Sequence, residues 1–216
     1  MKTTMLIIML MVFLGNVQTS YAADNKYAEA MAKKIHTVYT TQSIAELQNA
    51  VNALERIGVA EKTKWEPYYY AAFGYIMMAT YEQNGNKKDT YLEEATKAIG
   101  KAKAIVQNES EVVALEGFIH MIRVTVDPAS RGQQYSGLAM QTFAKAITLN
   151  PENPRALALM AQMQFGTAQF LGSSTTEACT TNEAALQKFA TSKSDNPLAP
   201  QWGKKTAEEL KKNCKR

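Results

Sequence analysis

The chain predicts an all-α fold: a right-handed α-solenoid of stacked helix pairs, closed by a C-terminal capping helix. Two observations carry this. Apolar residues recur at helical spacing almost throughout, and no run of alternating β-branched residues with hairpin turns interrupts them. The pattern also repeats. The small residue at the close-packing point of each first helix recurs as Gly74, Gly117 and Ala161, in steps of 43 and 44 residues. The second-helix pattern Ala95-x3-Ile99-x2-Ala102 returns 44 residues later as Ala139-x3-Phe143-x2-Ala146, and more weakly as Ala185-x3-Phe189-x2-Ser192. Repetition at such a period marks a stack of units that bury their apolar faces against one another.

Residues 1–22 read as a leader. Lys2 supplies its charge, Met5 to Leu14 its ten-residue apolar run, and Ser20-Tyr21-Ala22 a small-residue cleavage site. Ten apolar residues fall short of the roughly 20 needed to span a bilayer. The mature domain, 23–216, is therefore expected in the periplasm or outside the cell, with no membrane span.

The first predicted helix runs from Ala23 to Thr40 and the second from Ser43 to Ile57, with Ser43 as N-cap and Glu46 at capping-box spacing. Glu66 to Gln83 is the third, with Pro67 in its first turn. Asn84-Gly85-Asn86 signals a turn, and Thr90 to Gln107 follows. Ser110 to Val126 ends at Asp127-Pro128. The sixth helix starts at Arg131 or Gln133 and runs to Asn150. Pro154 to Leu171 is closed by Gly172-Ser173-Ser174, and Glu177 to Ser192 and Trp202 to Asn213 complete the series. The prolines fall at predicted helix ends or in loops, where a missing N–H costs least.

The net charge is +4. Lys2 is the only charged residue in the leader, so the mature chain carries +3. So mild an excess does not indicate nucleic acid. It is concentrated at Lys204, Lys205, Lys211, Lys212, Lys215 and Arg216, where cations complement the C-terminal end of a helix. An exported chain with two cysteines, Cys179 and Cys214, predicts one disulfide, tying the last helix to the preceding one. No Cys-x-x-Cys motif and no neighbouring histidine suggests a redox or metal role for either.

No phosphate loop, nucleophile elbow or His-Glu-x-x-His motif is present. His36 and His120 read as isolated helix residues. The adjacent pairs Glu93-Glu94 and Glu208-Glu209 point to different sides of a helix. The reading is non-catalytic, without cofactor or metal.

Ala139-x3-Phe143-x2-Ala146-x4-Pro151, followed by Leu157-x2-Met160-Ala161, resembles the junction of two tetratricopeptide repeats. The motifs Trp65-x-Pro67-Tyr68-Tyr69-Tyr70-Ala71, Asn153-Pro154-Arg155, Gly166-x3-Phe170-x-Gly172 and Pro200-x-Trp202-Gly203 ahead of Cys214 resemble those of exported tetratricopeptide-repeat proteins of Bacteroidota. The resemblance supports the fold and export and implies no enzyme. It also implies a binding face on the concave side of the first helices. A plain repeat has 34 residues; the extra length is expected in loops at Asn84–Asp89 and Asp127–Gln134.

On that concave face the candidates are Tyr68, Tyr75, Phe118, Met121, Arg155 and Gln162, contacting a protein or peptide partner, with Arg155 supplying a charge-assisted hydrogen bond. The same side chains could instead seal neighbouring repeats. Tyr70, Phe73 and Met77 are read as a core stripe. Arg131 is read either as an anion site or, preferentially, as a loop brace paired with Asp127. Trp202 is expected to plug the open end of the array. The rival functions are a homo-oligomeric envelope assembly or stress factor and, last, an enzyme.

Overall fold

The computed structural model describes residues 25–214; the predicted leader lies outside them. The described residues form nine helices: α1 (25–40), α2 (Ile44–Glu61), α3 (Glu66–Tyr81), α4 (Gly85–Ile105), α5 (Ser110–Val126), α6 (Pro128–Leu149), α7 (Pro154–Leu171), α8 (Thr176–Thr191) and α9 (Lys204–Asn213). They pack sequentially in antiparallel pairs. α3 also meets α5, α5 meets α7 and α7 meets α9, so these four helices form one continuous layer.

Local chemistry sets the helix starts. Ser43 caps α2 by accepting the Glu46 N–H at 3.3 Å, Asn84 caps α4 through the Lys87 N–H at 3.1 Å, and Asp127 caps α6 through the Ser130 N–H at 3.3 Å. Pro67, Pro128 and Pro154 sit in first turns. The caps at Asn84 and Asp127 correct the expected long loops. Once those side chains start a helix, the extra residues are helical, and α4 and α6 reach 21 and 22 residues.

One core runs from α1 through α5, holding Met31, Leu47, Leu54, Tyr69, Ile76 and Leu115. α3 lies at its centre and is buried on nearly every side. Gly117 of α5 lies against the Phe143 ring of α6; a Cβ there would come within 2.5 Å of it. Close approach of two helices requires glycine at this position.

The segment after α8 does not cap the end of the array. It crosses the layer formed by α3 and α5, burying Leu198 in the main core. The Tyr70 hydroxyl donates to the Leu198 carbonyl at 2.7 Å, and the Gln201 N–H donates to the Tyr39 hydroxyl at 3.2 Å. Trp202 is thereby laid on Phe73 of α3 and Phe118 of α5, with ring centroids 4.9 and 5.7 Å apart. The expected end plug is a cover over the inner face. α9 then packs along α7 and α8, and the Cys179–Cys214 disulfide fastens its far end to α8.

Gly117→Ala should lower stability by about 1–3 kcal/mol through overpacking against Phe143, read as a fall in the urea midpoint. Cys179→Ser with Cys214→Ser should cost about 2–4 kcal/mol, and the thermal midpoint of the double variant should no longer respond to reductant.

Candidate functional site

Beneath Trp202 lies a cleft of about 150 Å3. Phe73 and Met77 come from α3, one turn apart. Phe118 comes from α5, Leu159 and Gln162 from α7, and Thr206 from α9. α3, α5 and α7 supply walls because they lie side by side, α9 adds Thr206, and the crossing segment supplies the roof. The walls are aromatic, aliphatic and thioether surface, with the Gln162 amide and Thr206 hydroxyl as polar edges. Among the described residues no group of histidine, cysteine and carboxylate side chains could hold a metal ion.

Of the residues expected on this face, Phe118 and Gln162 line the cleft, and Met121 packs in the same apolar cluster as Phe118 and Trp202. Tyr68 and Tyr75 do not face it. They are 8% and 5% exposed and belong to the core. Tyr68 fits against Gly58 of α2 under the Lys101 ammonium, and burial raises the Tyr75 pKa. Phe73 is in the core as expected and Met77 packs against it, but both also reach the cleft. α3 is apolar all round, so its periodicity names no inner side.

Arg155 was expected to reach a partner, but it is 8% exposed and engaged internally. Its Nε and a terminal nitrogen donate to the two oxygens of Glu111 at 2.8 and 2.7 Å. Asn153 beside it accepts the Arg155 and Ala156 N–H groups and donates to Ser110, which donates to the Ala146 carbonyl. This buried cluster joins the ends of α5, α6 and α7. It lies beside a second, polar cleft of about 430 Å3, lined by Trp65, Glu111, Arg155 and Lys188 among others.

Arg131 is paired within the chain, with a different partner from the one expected. It makes a two-pronged pair with Asp89 of α4 at 2.6 and 2.9 Å, while Asp127 is committed to Ser130 at the start of α6. His36 is exposed on α1. His120 is half-buried, stacked on Tyr135, and its pKa is lowered by burial. Neither histidine lines either of these two clefts. No helix among the described residues is long and apolar enough to cross a membrane.

Sequence reasoning missed Trp202 as a wall of this site. The Pro200-x-Trp202-Gly203 motif marked the residue, but only the path of the chain shows what it covers.

No family model matches the chain, and no curated protein matches it. Among solved structures, the HusA haemophore from Porphyromonas gingivalis is similar, with a TM-score of 0.78 and 30% sequence identity, covering 88% of this chain and 92% of that one.

Replacing Arg155 by Met leaves the Glu111 carboxylate without its partner in a largely buried site. Breaking such a pair costs about 3–5 kcal/mol, and chemical denaturation should show a loss of that order.

Proposed function

This chain belongs to the family of the HusA haemophore, and from that premise we propose that it binds haem and carries it outside the cytoplasm. The observation that carries the proposal is that likeness, which extends over most of both chains. The disulfide and the leader pattern at 1–22 support an exported protein, placed in the periplasm or secreted.

The chemistry of the inner cleft fits a porphyrin. Phe73, Met77, Phe118 and Trp202 offer apolar and aromatic contact to a flat macrocycle, while Gln162 and Thr206 can hydrogen-bond at its edge. At about 150 Å3 the cleft is smaller than the roughly 300–1,000 Å3 of an enclosing ligand pocket. A porphyrin would therefore seat one edge under Trp202 and leave the rest open to solvent or to a receiving protein. Met77 is the one lining residue with a soft donor for iron, so contact with the macrocycle supplies most of the affinity.

The helix pairs are read as enlarged tetratricopeptide units. A second reading, a protein partner, is favoured by Phe170 and Leu171, which are 82% and 68% exposed at the end of α7.

Titration of the mature protein with haem should give a saturable 1:1 Soret change accompanied by quenching of tryptophan fluorescence. Phe118→Ala should weaken binding about tenfold, or 1.4 kcal/mol, and metal-free protoporphyrin should bind within about tenfold of haem. Absence of a saturable Soret change would sink the proposal.

A further inference from the structure

Trp202 roofs the cleft, yet its orientation depends on residues facing away from it. The indole N–H donates to the Tyr69 hydroxyl at 3.0 Å. That hydroxyl donates to Glu111 at 3.4 Å, and Arg155 clamps the same carboxylate from the other side. Tyr69 is fully buried, and desolvation holds its pKa well above the ordinary value. It stays protonated, able to accept from the indole while donating to the carboxylate. A second connection runs through the backbone. Gly203, next to Trp202, has φ +99, and a Cβ there would meet the Phe189 ring at 3.1 Å and the Arg155 stem at 3.2 Å. The chain therefore turns into α9 directly on the side chain that clamps Glu111.

We propose that the Glu111–Arg155 pair is the positioning device of the ligand cleft, setting the indole of Trp202 through the Tyr69 hydroxyl and through the turn at Gly203. The inference rests on the haem-binding reading for its functional consequence, but the link from ion pair to indole stands apart from it. Phe73 and Phe118 stack against the indole, and stacking by itself constrains a ring's plane more than its position within that plane. The N–H bond fixes that position. An indole held at one position presents a constant roof to the macrocycle, and the ordering is complete before the ligand arrives. Both Glu111 and Arg155 also line the polar cleft.

The test uses the mature chain in a Trp65→Phe background, which leaves Trp202 as the only tryptophan. Tyr69→Phe keeps the ring and removes the hydroxyl; Glu111→Gln keeps the shape and removes the charge. Without ligand, each should increase acrylamide quenching of Trp202 and lower its fluorescence anisotropy. With ligand, each should raise the haem Kd about fivefold to tenfold. Arg155→Lys keeps the charge but loses the fork and should fall between wild type and Glu111→Gln. Unchanged quenching and anisotropy in a folded Tyr69→Phe protein would overturn the positioning role. So would a shift in unfolding midpoint with haem affinity unaltered. If the mature protein with both tryptophans binds no haem, the proposed function fails, and the fluorescence of the free variants still decides the link to Trp202. Should Tyr69→Phe not fold, Glu111→Gln and Arg155→Lys carry the same comparison.

Discussion

Aromatic surface on the inner side of α3 and α5 has to be covered, and the chain covers it with its own segment between α8 and α9. Phe73 and Phe118 share one face of the helix layer, and Trp202 is laid across both. The rest of the C-terminal region follows from that contact. Leu198 is drawn into the main core, Tyr39 and Tyr70 hydrogen-bond to the crossing backbone, and α9 enters beside α7. What is left uncovered is a short stretch below the indole, and this becomes the cleft. The site is the remainder of an incomplete closure, so its walls are core-like residues.

That closure needs anchors at both ends. At one end stands the buried polar cluster of Ser110, Glu111, Asn153 and Arg155, where three helix ends meet. Each of these hydrogen bonds satisfies a group that burial would otherwise penalise. At the other end the disulfide holds a ten-residue helix that buries only Ala207 and Leu210 among its own residues. So little apolar area gives a short helix little hold of its own, and the covalent bond supplies what packing does not.

Much of the fold was legible. α5 and α7 begin and end where proline, capping residues and apolar periodicity place them, and Ser43 caps α2 as read. The paired cysteines followed from compartment and number. The site was legible only in part. Phe118 and Gln162 line the cleft because α5 and α7 each have a polar side and a buried side, so the pattern shows which residues lie between. On α3 the pattern is silent: Tyr68, Tyr70, Phe73 and Tyr75 are all large and all buried. Choosing Tyr68 and Tyr75 for the open face therefore failed for lack of contrast. Arg155 and Arg131 looked available because sequence shows a charge and not its partner; Glu111 and Asp89 lie 44 and 42 residues upstream.

By itself the sequence determined that this is an all-helical chain of repeated pairs, where most helices start, and that its two cysteines would join. These are consequences of local preference and of periodicity, which nearest neighbours along the chain decide. Tertiary structure alone decided that the segment after α8 turns back across the layer formed by α3 and α5, that α3 presents Phe73 and Met77 rather than Tyr68 and Tyr75, and that Arg155 is spent on Glu111. Each depends on groups brought together from distant positions, Trp202 onto Phe73 above all. The free energy of such a contact resides in buried area and geometry that no window of sequence contains.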